Sequence, residues 1–213
     1  MMTEIYLEVG EKKVFACAVK WLGWCRAGKN EGEAQHALLE MAERYRVIAE
    51  RAGQEFEVGD LLAVERVKGD TTTDWGAPSS IARFDREPSD AQAAALRVSL
   101  LRAAWEIMDE VVAVSPAELR KGPRGGGRER DEVFRHVVEA ERAYGRKIGV
   151  KQKPFAARDR AAREAMREEI ASVLSRPSDG RELVENGWPV AYAARRIAWH
   201  VIDHIWEIED RRI

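Results

Sequence analysis

Hydrophobic and polar positions alternate at the start of the chain. Glu4 to Val9 puts Ile5, Leu7 and Val9 on one face, the two-residue period of a strand. Gly10-Glu11-Lys12 reads as a turn, and Val14 to Leu22 is a second β-prone run, so the pair predicts a hairpin. Gly23 and Gly28 then break the pattern. From Asn30 the period lengthens: Ala34, Leu38, Met41, Ala42, Tyr45, Ile48 and Ala49 recur at helical spacing. Asn30 can cap this helix, Glu31 and Glu33 suit the positive end of its dipole, and Gly53 stops it. Leu61 to Val67 alternates again. The expectation is a small ββαβ unit over residues 1–70.

A polar stretch, "GDTTTDWGAPSSIARFDREP", follows, and residues 71–88 read as a connector. Trp75, Ile81 and Phe84 are its apolar positions, and they predict that it is pinned to a surface rather than free. From Ser89 to the end, residues 89–213, the period is helical. Leu96, Leu100, Leu101, Ala104, Trp105, Met108, Val111 and Val112 form one stripe, closed by Ser115-Pro116. Further helices are expected at about 130–148, 156–174 and 189–210, with Pro189 at a first helical position. Four such helices with no strand between them predict a four-helix bundle, and the whole chain an α+β protein.

Composition narrows the function classes. With 213 residues, 45% hydrophobic and 34% charged, the chain can bury a real core. A net charge of −2 gives no reason to expect nucleic acid or an anionic membrane as partner. No stretch reaches the ~18–20 apolar residues of a membrane span, and Met1-Met2-Thr3-Glu4 does not open a secretory leader. The expected location is the cytoplasm. Cys17 and Cys25, the two cysteines, are then expected as separate reduced thiols, one on a strand and one beside a turn. A redox pair or metal ligands is the other reading.

The candidate chemistry lies in the histidines, of which there are four. His200 and His204 are four residues apart on the last helix, so both imidazoles project from one face. They sit between the apolar arc of Val201, Ile205 and Ile208 and the polar flank of Arg196, Asp203 and Glu207. His136, among Val133, Val137, Ala140 and Tyr144, faces inward from the second long helix. Three imidazoles meeting across a bundle would hold a divalent ion and leave positions open for chemistry. Core histidines with satisfied hydrogen bonds are the alternative. His36 stands apart, as a surface or packing residue.

Two resemblances add to this. "VFRHVVEAERAY" and "WHVIDHIWEIED" together resemble the DinB-like (YfiT-like) metalloenzyme family over about 89–211, with one His in the second helix and a His-x-x-x-His pair on the last. Glu139 and Glu141 stand where that family continues after its first His, and Trp206 follows the pair. The resemblance implies an up-down-down-up bundle, a metal site of His136, His200 and His204, zinc or nickel as the ion, and homodimers. It also implies a hydrolase or a transferase using a low-molecular-weight thiol. The segment "WLGWCRAGKNEGEAQHALLEMAERY" resembles the HicB-like fold, through Trp21 to Cys25, Gly28 and Glu33-Ala34. Leu22 stands where that family usually has Pro, and fold alone carries over no RNA-directed role.

The reading is therefore a metal-dependent enzyme acting on a small molecule or thiol, with Glu132, Glu139 and Asp203 near enough in sequence to orient a ligand or move a proton. The competing reading is a non-enzymatic ligand- or partner-binding protein with a structural metal. Gly125-Gly126-Gly127 between Arg124 and Arg128 reads as a solvated loop or an anion cradle. Arg158, Arg160, Arg163, Glu164, Arg167, Glu168 and Glu169 read as a solvated face with ion pairs inside one helix. Trp199 and Trp206 are expected to pack on the N-terminal unit or on a second subunit.

Overall fold

The computed structural model describes residues 2–122 and 126–212. It is a mixed α+β structure. Strands β1 (Met2–Val9), β2 (Val14–Ala18) and β3 (Cys25–Gly28) precede helices α1 (Glu31–Glu40) and α2 (Ala42–Arg51), and β4 (Asp60–Lys68) follows. The sheet order is β3-β2-β1-β4, with β1–β2 and β2–β3 antiparallel and β1–β4 parallel. After a short α3 (Thr71–Trp75) and a 3-10 turn at Arg83–Arg86 come four long helices: α4 (Ala91–Val114), α5 (Arg130–Arg146), α6 (Arg160–Leu174) and α7 (Val190–Asp210).

The N-terminal unit differs from the ββαβ expectation in two ways. The run Val14–Leu22 is not one strand: it ends at Ala18, turns, and returns as β3. The glycine that broke the pattern is the device. Gly23 has φ +82°, and a Cβ there would lie 2.6 Å from Ile202 Cδ1 and 2.9 Å from the backbone of Ala198 and Trp199. The absence of a side chain both permits the turn and lets it touch the α7 backbone. The single expected helix is two, meeting at Met41, which is the last cap of α1 and the first of α2.

The register of β2 on β3 also changes the cysteine reading. Cys17 and Cys25 face each other across the two strands, Cα to Cα 4.1 Å, and are joined in a disulfide. Close approach is what a non-hydrogen-bonded antiparallel pair provides. The expectation of two separate thiols rested on a cytoplasmic location and on the low cysteine count, and taking β2 through to Leu22 hid the strand that pairs them.

β1 is buried on both faces. Ile5 and Leu7 join Leu38, Tyr45 and Ile48 of α1 and α2 in the main core. Tyr6 faces the other way, with Phe15, Ala82 and Trp199. The connector covers that second face through Ala82 and Phe84 and through polar contacts. Glu8, fully buried, accepts from Thr73 Oγ1 (2.6 Å), Ser79 N (2.8 Å) and Ser80 N (3.1 Å). Trp75 does not pin the connector: it is 81% exposed. Phe84 does pack, on Tyr6, with ring centroids 5.4 Å apart.

α7 sits at the centre of the helical part, in contact with α4, α5 and α6. Fifteen of its 21 residues are buried, so nearly its whole circumference is covered. Trp199 packs on Phe15, and Trp206 lies under the Arg26 and Arg44 guanidinium groups, which places both tryptophans against the N-terminal unit. The main core is continuous from β1 through α4 to α7. The charged face expected on α6 is only partly solvated. Arg163 and Arg167 are buried and bond outward to Asp109 on α4, both at 3.1 Å, and Arg167 also to Glu141 on α5 at 3.1 Å. Among the described residues, Arg160–Glu164 is the one ion pair within the helix. No helix among the described residues is long and apolar enough to cross a membrane.

Candidate metal centre

α5 and α7 lie side by side, and their facing stripes carry the three histidines. α5 starts where Glu132 accepts from the Glu129 backbone N–H at 2.9 Å, and the apolar positions Val133, Val137 and Val138 turn it onto the core. This leaves His136 half-buried at the edge of that stripe. His200 and His204 are 6% and 8% exposed.

The three imidazoles meet. Nε2 of His136 and Nε2 of His200 are 3.1 Å apart, and one ring nitrogen from each histidine lies within 4.8 Å of the others. A tetrahedral ion with ~2.05 Å metal–nitrogen bonds sets its ligands about 3.3 Å apart. The His136–His200 spacing is near that value, so small ring movements would bring all three onto one ion. The group could hold a divalent metal ion.

The protonation states suit this. Burial, then the neighbouring His204 and His136, then Arg196 and Arg128, hold the His200 pKa well below its ordinary value. Burial and then Arg128 and His204 lower that of His136, against the opposing pull of Glu207 and Glu139. Both rings are therefore neutral at neutral pH, the form that binds a cation. His136 Nε2 and His200 Nε2 are within hydrogen-bond distance of each other, and Nδ1 of His200 is buried with no partner among the described residues.

One residue that sequence reasoning placed only on the polar flank organises the site. Glu207 Oε2 is 2.6 Å from His204 Nδ1, and its other oxygen accepts from Arg211 at 2.8 Å. The hydrogen bond from His204 lowers the Glu207 pKa. A carboxylate on Nδ1 fixes the ring so that Nε2 is the nitrogen left to bind, the outer-shell arrangement that metal histidines use. The signal was present in the sequence as His204 and Glu207 one helical turn apart, but it looks like any surface pair.

The carboxylates expected to assist are elsewhere. Glu132 is exposed and caps its own helix, Glu139 is exposed, and Asp203 binds Arg26 at 2.8 Å. Glu141 turns away into the Arg167 pair. The walls of the site are instead Tyr144, edge-on to His200 at 5.7 Å, and Trp199 at 6.0 Å. Arg196 stacks over both rings and donates to the Pro78 carbonyl at 2.7 Å. In the Gly-rich loop, Arg124 and Gly125 lie outside the described residues. Its described end is held by Arg211, which donates to the Arg128 carbonyl at 2.8 Å. His36 is on the surface beside Glu40, its side chain 77% exposed.

No protein-family model matches the chain, and neither a curated protein nor a solved structure is significantly similar to it.

Proposed function

We propose that this chain is a divalent-metal-dependent enzyme of DinB-like type, a hydrolase or a low-molecular-weight-thiol transferase, with zinc or nickel held by His136, His200 and His204. The observation that carries the reading is the convergence of three imidazoles from two helices, two of them held neutral, with Glu207 orienting the third. On this reading α4 to α7 are the four helices of an up-down-down-up bundle, and the connection 147–159 between α5 and α6 is long enough for a crossover rather than a tight return. The likeness of the N-terminal unit to the HicB-like fold stays a likeness of fold, and homodimer formation rests on the family resemblance alone.

When bound, a divalent ion supplies Lewis-acid polarisation of a small ligand. The chain's own residues do the rest. Glu207, itself held by Arg211, keeps the proton on His204 Nδ1 and the ring in one orientation. Burial keeps His200 neutral. Tyr144 and Trp199 give the walls beside His200 an aromatic lining. Arg128 and Arg196 make the surroundings positive, which favours an anionic or thiolate substrate over a cationic one.

The test is elemental analysis of protein purified without a metal-affinity tag, followed by a hydrolysis and thiol-transfer screen. About one divalent ion per chain, lost in a His200→Ala/His204→Ala double variant, supports the site. Turnover lost on metal stripping and in His136→Ala, with helical circular dichroism retained, supports the enzyme. Bound metal with a closed coordination sphere and no turnover would point to a binding protein with a structural ion. Metal retained in the double variant would remove the site altogether.

A further inference from the structure

A second polar feature, remote from the histidines, has no counterpart in that reading. Arg97 on α4 is 5% exposed. Its Nη2 donates to Ser89 Oγ at 2.8 Å, while Nη1 is buried with no partner among the described residues. Burial lowers its pKa, and no neighbouring carboxylate acts against that. The other buried arginines behave differently: Arg163, Arg167 and Arg195 each face a carboxylate. Asp90, next in sequence to Ser89, is turned to its own helix and accepts from Ala93 N at 2.8 Å. A buried cation without a counter-charge is destabilising, so its environment is incomplete.

Arg97 lines a cleft of about 220 Å³ between the turn after β2 and the first turns of α4 and α7. Lys20, on the rim, adds a second cation, and Leu22 and Leu96 make apolar walls. α7 begins at the same place: Ala191, in its first turn, lines the cleft, and Pro189 offers that helix no side-chain cap. Uncapped first-turn amides carry the positive end of a 21-residue helix. Two cations, a hydroxyl and a helix N-terminus thus surround an apolar slot. Ala191 and His200 are nine residues apart on α7, which sets them about half a turn round from each other, on opposite faces.

We propose that this cleft binds a compact aliphatic carboxylate, its head on Arg97 and Lys20 and its chain against Leu22 and Leu96. A guanidinium receives a carboxylate through two parallel hydrogen bonds, and a turn of the Arg97 head toward the cleft would bring the buried Nη1 onto the second carboxylate oxygen. The volume is below the ~300–1,000 Å³ of drug-sized ligand sites, so the occupant is small. The apolar walls select an aliphatic acid over inorganic phosphate.

The experiment is calorimetric titration of the full chain with octanoate, octanol and inorganic phosphate, together with thermal melts. Octanoate is expected to bind at one site, octanol at least tenfold more weakly, and phosphate not at all. Arg97→Met should weaken octanoate at least tenfold, yet raise the melting temperature of the ligand-free protein by removing an uncompensated buried charge. Leu96→Trp keeps the arginine and fills the slot, so it should also abolish octanoate binding. Octanol binding as tightly as octanoate would overturn the proposal, as would phosphate binding more tightly than octanoate. So would octanoate affinity unchanged in Arg97→Met, or no octanoate binding by the unaltered protein.

Discussion

Arg195 and His200 are both buried on α7, little more than one turn apart, at 4% and 6% exposure, and their surroundings are opposite in kind. Arg195 is saturated. It binds Asp85 and Tyr6, donates to the Ser80 carbonyl at 3.3 Å, and lies among the rings of Tyr6, Phe84 and Tyr192. Asp85 in turn accepts from Ala82 N at 2.8 Å. His200 meets another uncharged nitrogen and leaves Nδ1 without a partner among the described residues. A closed network fixes a position, here that of the connector against β1 and α7. An incomplete one is a place where something else belongs.

The comparison can be broken at its closed end first, where the largest effect is expected. Asp85→Ala leaves the Arg195 cation buried and should cost about 3–5 kcal/mol, read as a lowered midpoint in chemical denaturation. Replacing both partners, Arg195→Met with Asp85→Leu, should restore much of that, because the penalty lies in the stranded charge. A single variant as stable as the unaltered protein would show that this network is not what seats the connector.

At the open end, Glu207→Ala removes the group that orients His204. Metal affinity should fall about 10- to 100-fold, measured by competition with a chelating dye, while the melting temperature of the metal-free protein moves little. Affinity unchanged by the substitution would mean that Glu207 serves Arg211 alone.

A pH titration of chelator-treated protein sharpens the contrast further. The folded pKa values of His136 and His200 are depressed, whereas unfolded imidazoles titrate near 6.5. Below that pH the unfolded chain binds more protons, so the contribution of these two residues to stability is full above about pH 6.5 and is lost as pH falls. Thermal melts should show a fall from about pH 7.5 to about pH 5.5 that is shallower in a His136→Ala/His200→Ala variant. Parallel profiles would contradict the assignment of neutral, buried rings. The smallest effect is the control: His36→Ala, on the surface, should change stability by less than about 0.5 kcal/mol and leave metal content untouched.

Much of this was legible in the residue pattern, and the reasons are local. Helical periods and caps are short-range, so the four long helices fall where the pattern put them, with Asp90 rather than Ser89 as the cap of α4 and Asp159 opening α6. The spacing of His200 and His204 required nothing beyond helical geometry. That His136 faces the same point depends on its place in the apolar stripe of α5, and this too could be read along the chain.

Tertiary structure decided what depends on pairing between distant segments. β3 is four residues long and exists because Gly23 lets the chain turn against α7, so no local periodicity announces it. Its register is what sets Cys25 opposite Cys17. Arg163 and Arg167 look like surface charges by composition and are buried only because Asp109 and Glu141 arrive from other helices. The connector is held by Glu8 and Arg195 rather than by Trp75, since a buried carboxylate or guanidinium is stable only where its partners converge. Those partners lie 65 to 189 residues away in the chain. Sequence spacing records which groups share a helix face. It does not record which charges will meet when two faces close, and that closure is what separates the saturated centre at Arg195 from the open one at His200.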